Sequence, residues 1–144
     1  MASRSLADLH PLLQPLAMEF LKLAELQGIH VIITCTFRSP EEQAREYARG
    51  RTVSSGIDVV PVIRPLGRVV TRAKPGQSAH NFMLNNKPAS KAFDVVPVVN
   101  GKATWNDKDP AWQKLGKIGM DLGLNWYGAP GSPFKEFPHL QLRG

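Results

Sequence analysis

The sequence predicts an α+β fold, a small antiparallel sheet flanked by two to three helices. Three observations predict it. An apolar stripe at helical spacing lies near the N-terminus, two β-branched runs stand far apart in the chain, and strong turn chemistry punctuates the rest. The 144 residues suit a single domain over 1–144, long enough to bury a core and too short for two.

Leu9, Leu13, Leu16, Phe20 and Leu23 recur at alternating steps of four and three, one face of an amphipathic helix. Pro11 and Pro15 push its regular start to about Pro15, and Gly28 is a natural stop. Ile29 to Thr36 is a β-branched run that predicts a buried strand. Ser39-Pro40-Glu41-Glu42 supplies an N-cap, a proline at the first helical position and acids for the helix N-terminus. This second helix runs to about Arg49. Residues 50–77 are rich in Gly, Pro and Arg and predict a long loop. Ala92 to Val99 is the second strong strand, and Asn100-Gly101 offers a type I′ turn with Lys102–Trp105 as the return. Asp107 or Asp109 caps a helix through Trp112, Leu115, Ile118 and Leu122 that stops at Gly123. A last strand falls near Phe137–Leu142, and no internal repeat is present.

Composition excludes several classes. With 42% hydrophobic and 21% charged residues the chain is globular, neither disordered throughout nor collagen-like. One cysteine rules out an intramolecular disulfide framework and a Cys-rich zinc knuckle, so a metal here falls to His and carboxylates. The net charge of +6 points to an anionic partner. Residues 38–74 carry eight of the basic residues, but the arginines are scattered among Pro, Gly and Val with only Phe37 and Tyr47 nearby. A solvated, anion-steering surface fits that pattern better than a nucleic-acid-binding face. The N-terminal stretch is broken by Asp8, His10 and two prolines, so no signal-peptide core is expected, and no run of 18 apolar residues spans a membrane. The expectation is synthesis in the cytoplasm, no stable membrane association, and export by an outside route.

Four positions carry the chemistry. His80 follows a Gly-Gln-Ser turn, Asp94 interrupts the apolar strand Ala-Phe-Asp-Val-Val, and Glu136 and His139 form Glu-Phe-Pro-His before the last strand. An aspartate among valines is costly unless paired or metal-bound. Two His and one Asp are a legitimate zinc set with a fourth position for water, whose pKa zinc lowers toward about 7. A Glu three residues before a ligand His can reach that water as general base. On chemistry alone a solvent-facing Glu136 and an ordinary packed His139 remain equally open. His10 and His30 read as surface and strand residues, Cys35 as a buried small hydrophobe, and Trp105 and Trp112 as core.

The stretch from Val70 through Gly76-Gln77-Ser78-Ala79-His80-Asn81-Phe82, followed by Ala92-Phe93-Asp94, resembles the Ser-x-His…Ala-x-Asp signature of the D-Ala-D-Ala carboxypeptidase/L-alanyl-D-glutamate peptidase family. These are zinc peptidases of peptidoglycan stem peptides, many of them phage endolysins. Glu136-Phe137-Pro138-His139 resembles the family's acidic-x-Pro-His motif, Thr36-Phe37-Arg38-Ser39 its strand-end arginine, and Trp126-Tyr127-Gly128 the segment before the last motif. The resemblance runs from about residue 30 to 142 and implies a Hedgehog/DD-peptidase-like fold. It implies zinc on His80, Asp94 and His139, Glu136 as base, Arg38 stabilising the oxyanion, and substrate contacts from Ser78 and Trp126.

One departure stands out. Asp94 lies fourteen positions after His80, twice the family's usual interval. Asn85-Asn86-Lys87-Pro88 is turn chemistry, so Met83–Lys91 reads as an insertion across which both ligands still converge. Asp58, in a context like that of Asp94, is the competing ligand. The activity implied is hydrolysis of the L-Ala–D-Glu bond in peptidoglycan by a monomeric, endolysin-like enzyme released through a holin-type pore. The alternatives are a D-Ala-D-Ala carboxypeptidase, a non-catalytic zinc-containing wall-binding module and, furthest off, a basic nucleic-acid binder.

Overall fold

The computed structural model describes residues 2–48, 78–131 and 135–143. The loop expected over 50–77 lies outside the described residues, and Asp58 with it. The described elements are helix α1 (Gln14–Leu26), strand β1 (His30–Cys35), helix α2 (Pro40–Ala48), strands β2 (Met83–Leu84), β3 (Lys87–Pro88), β4 (Ala92–Val99) and β5 (Lys102–Ala103), helix α3 (Pro110–Asp121), and strands β6 (Asn125–Trp126) and β7 (His139–Gln141).

Helix α1 buries Ala17, Phe20 and Ala24, and Leu13 is buried at its N-cap. Leu9 belongs to the same stripe in sequence but precedes the helix, bridging Ser90 and sealing one edge of the core. Gly28 ends the helix at φ +76°, with its own N–H on Glu25 O and the Ile29 N–H reaching back to Ala24 O at 2.9 Å. That is a Schellman stop, and glycine takes the left-handed turn without a Cβ penalty. Asp109, not Asp107, caps α3. Its carboxylate accepts from Ala111 N–H at 2.9 Å and Pro110 follows at the first helical position.

The main sheet is antiparallel in the order β1-β4-β7-β6, with β5 paired to the end of β4. Asn100 (φ +52°) and Gly101 (φ +78°) make the tight β4–β5 turn, as their side chains predict. The core packs α1 and α3 against Phe93, Val95, Trp126 and Leu140 of the sheet. Full burial of a side chain such as Phe20 contributes about 1.5–3 kcal/mol. Strand alternation then places Asp94 and His139 on the opposite face, away from the helices.

Two features of the sheet were not predicted. Strand β6 is too short to show a periodicity, and only its pairing with β7 reveals it. In β1 the register with β4 shifts by one residue, since Ile33 faces Val95 but Cys35 faces Asp94. Thr34 is the extra residue of a β-bulge. Without it Cys35 would share the core face of Ile33; with it the thiol turns to the face of Asp94.

The aromatic residues divide. Trp112 is buried as expected, whereas Trp105 is 60% exposed and corrects the expectation of a core residue. The hairpin return is shorter than predicted, so Trp105 falls in the loop beyond it.

Candidate active site and metal centre

Asp94 is the hub. Its Oδ1 lies 3.0 Å from His80 Nε2 and 3.2 Å from His139 Nδ1, and its Oδ2 lies 3.5 Å from Arg38 Nη2. His139 is its direct cross-strand partner in the β4–β7 register, so backbone pairing puts the two side chains side by side on one face. The rings of His80 and His139 stand edge to face with centroids 4.9 Å apart.

His80 comes from a 3-10 turn over Ala79–Asn81, held by a capping box. Ser78 Oγ accepts from His80 N–H at 3.1 Å, and Ser78 N–H donates to Asn81 Oδ1 at 3.2 Å. The turn is fastened to the end of β1. Arg38 N–H donates to His80 O at 2.9 Å, and Asn81 Nδ2 donates to Arg38 O at 2.7 Å. Ser78 thus shapes the His80 turn. The Met83–Lys91 segment is the β2–β3 hairpin, closed by Asn85 and Asn86 at positive φ. It carries the extra length outward, and His80 and Asp94 meet despite their separation in sequence.

The outward nitrogens of both imidazoles are fixed. His80 Nδ1 lies 2.7 Å from the Thr36 carbonyl and must carry a proton to donate there, which leaves Nε2 for Asp94. His139 Nε2 likewise donates to Gln141 Oε1 at 2.9 Å and turns Nδ1 inward. Outer acceptors of this kind set the tautomer of metal-ligating histidines. Gln141 was missed in the sequence, although its place two residues after His139 on a strand puts it on the same face. Asn81 was also missed, although its spacing from Ser78 carries the capping-box signal.

Burial alone would raise the pKa of the Asp94 carboxyl. Positive charge on His80 and, when the rings are doubly protonated, hydrogen bonds from both imidazoles outweigh burial and hold it well below the ordinary carboxylate range. For His80 burial dominates and pushes the pKa down. For His139 burial acts the same way, but the Asp94 carboxylate overrides it and the pKa rises.

Cys35 lies in the same cluster. Its Sγ, one His80 nitrogen and an Asp94 oxygen all lie within 4.8 Å of one another, a group able to hold a metal ion. The thiol pKa, however, is pushed up to about 12, chiefly by burial and then by Asp94. Sγ sits 3.7 Å from His80 Nδ1, the nitrogen already committed to Thr36. The inward nitrogens of both imidazoles, His80 Nε2 and His139 Nδ1, face one Asp94 oxygen instead.

Glu136 stands beside this set. Its N–H donates to Tyr127 O and its carbonyl accepts from His139 N–H at 3.1 Å. The Tyr127 ring lies over His139 with centroids 4.3 Å apart. Burial raises the Glu136 pKa, with His139 opposing and Asp94 adding. Arg38 is aimed by Gln43, a buried side chain whose Oε1 accepts from Nη1 at 2.7 Å.

Trp126 does not line this face. It is 4% exposed, its indole N–H donates to Phe137 O at 2.8 Å, and its ring fills the space left by Gly116 and Gly128. It supports the loop that carries Glu136. His10 and His30 stand outside the site: His10 packs against Phe82, and His30 is exposed on β1.

No family model matches the chain. It is 33% identical, over 94% of its own length and 74% of the relative's, to the peptidoglycan L-alanyl-D-glutamate endopeptidase CwlK of Bacillus subtilis (strain 168). In fold it is similar to the crystal structure of the Serratia marcescens L-Ala D-Glu endopeptidase ChiX, with a TM-score of 0.54 at 20% identity over 99% of this chain and 89% of that one. By the first of these relationships the chain belongs to the peptidoglycan L-alanyl-D-glutamate endopeptidase family.

Proposed function

We propose that the chain is a zinc peptidase that hydrolyses the L-Ala–D-Glu bond of peptidoglycan stem peptides. The observation that carries this reading is the shared Asp94 oxygen, faced by His80 Nε2 and His139 Nδ1 while the outer nitrogens are held by Thr36 and Gln141. Two neutral imidazoles and a carboxylate fit zinc, which when bound supplies Lewis acidity and a water acidic enough to lose its proton near neutral pH. The residues around them do the rest. Glu136, made more basic by burial, takes the proton from the attacking water and hands it to the departing amine. Arg38, held by Gln43 and carrying a permanent charge, donates to the oxyanion that forms on the scissile carbonyl. Ser78 and Asn81 hold His80 in place, which supports a positioning role for Ser78 beside the expected substrate contact.

Action at the cell wall follows from that substrate, and the basic surface suits an anionic polymer. The phage-lysin origin, the holin-type release and the monomeric state rest on the family resemblance. Metal analysis and mass spectrometry of digested sacculi test the reading together. The expected results are one zinc per chain and new N-terminal D-Glu products. Release of terminal D-Ala would shift the assignment to a carboxypeptidase, and zinc without any product would leave a wall-binding module.

A further inference from the structure

We propose that Trp105 is the platform of a sugar subsite, stacking on a pyranose ring of the glycan strand while the attached peptide lies at the Asp94 centre. The inference rests on the peptidase reading and adds the part of the substrate that the centre does not touch. Trp105 is 60% exposed and is the largest of the exposed apolar side chains among the described residues.

The ring is mounted, not loose. It lies 6.4 Å from Trp112 at an interplanar angle of 39°. Its loop is tied down on both sides. Thr104 N–H donates to Pro97 O at 2.9 Å, Lys108 N–H to Asn106 Oδ1 at 3.1 Å, and Trp112 Nε1 to Asn106 O at 2.9 Å. A rigid aromatic loses little entropy on binding. Lys102 and Lys108, both exposed, flank it in the chain with positive charge suited to an anionic wall.

Position makes the case specific. Trp112 lies 6.2 Å from Phe137, the residue after the proposed base Glu136. Trp105 is thus linked through the Trp112 ring of α3 to Phe137, in ring-to-ring steps of 6.4 and 6.2 Å, and Phe137 directly follows the proposed base in the chain. In peptidoglycan the L-Ala is joined directly to the lactyl group of muramic acid, so one residue, about 3.5 Å of extended chain, separates the scissile bond from that link. A sugar must lie near the centre when the bond is cut. A pyranose offers a flat face of C–H groups to an indole and its hydroxyl and acetamido groups to water. Trp105 provides the complementary surface.

The test uses the full chain and the disaccharide GlcNAc–MurNAc without peptide. The protein has three tryptophans and so three indole N–H signals in a proton–nitrogen spectrum. On titration the Trp105 signal is expected to move while those of Trp112 and Trp126 stay, and W105A is expected to lose the binding. A Trp105 signal that does not move, or equal binding by W105A, overturns the proposal. So does a shift that appears only as the protein self-associates. A second arm compares disaccharide-bearing and sugar-free stem peptides. W105A is expected to lower kcat/KM about fivefold to tenfold on the former and leave the latter unchanged, with W105F partly restoring it. Equal effects on both substrates overturn the subsite. Disaccharide binding without cleavage of either peptide overturns the peptidase reading instead.

Discussion

Asp94 and His139 face each other across β4 and β7, and that register, with Gln141 holding the other ring nitrogen, brings the carboxylate Oδ1 to 3.2 Å from the imidazole Nδ1. The pair is built into the sheet, so it does not depend on a flexible loop. D94N keeps the side-chain shape and removes the charge. Zinc titration is expected to show a loss beyond the roughly 10–100-fold typical of an outer-sphere partner, with the circular dichroism unchanged. Wild-type affinity in D94N would exclude Asp94 as a ligand.

Gln141 tests that outer sphere directly. Q141L removes the acceptor of His139 Nε2–H while nearly keeping volume. Metal affinity is expected to fall about 10–100-fold, with little change in thermal stability of the metal-free protein. Unchanged affinity would mean that the β7 backbone alone orients His139.

Glu136 has a pKa raised by burial, and the sign of its linkage is definite. A carboxyl whose folded-state pKa exceeds its unfolded value contributes stability below the unfolded pKa and loses it as pH rises through the folded one. At neutral pH the metal-free protein therefore bears the cost of a half-buried charge. E136Q is expected to melt higher than wild type at pH 7, with the difference vanishing in acid, while activity falls about 10²–10⁴-fold. A variant that melts lower at pH 7 would contradict this account.

Arg38 presents a planar fork to both Gln43 and Asp94. R38K keeps the charge but not the fork, and is expected to lower kcat about 10²–10³-fold with the zinc content intact. A change confined to KM would assign Arg38 to ground-state binding.

Gly116 packs against the six-membered ring of Trp126. A Cβ there would meet ring carbons at 2.2 Å, and Gly128 closes the other side of the indole. G116A is expected to destabilise by about 1–3 kcal/mol despite alanine's better helix propensity, read as a lower melting temperature. Because Trp126 braces the Phe137 carbonyl, activity should fall below what the stability loss alone explains.

His80, Asp94 and His139 were legible in the sequence because their chemistry is unusual for their surroundings. An aspartate among valines asks for a partner, and histidines beside turns are natural candidates. The helices were legible through caps and stops that act locally, such as Ser39-Pro40, Asp109 and Gly28. Cys35 was not, because its direction depends on the Thr34 bulge, and a bulge is a property of the pairing and not of one strand. Trp105 was misplaced for a related reason. Local pattern does not reveal where a hairpin return ends, and β5 stops two residues before it. Trp126 reads as a cleft residue from its motif, yet the space beside Gly116 and Gly128 takes it inward.

The β2–β3 hairpin leaves the body of the protein and returns to nearly the same place. Ala89 N–H bonds back to Phe82 O and Lys91 N–H to Ala79 O, both at 3.0 Å. The number of residues between His80 and Asp94 is thereby uncoupled from the distance between them, and further length at the tip adds only a slowly growing closure cost. Asn85-Asn86 is thus an address for cargo: an epitope, a dye or a second module grafted there would ride on the protein without drawing His80 and Asp94 apart.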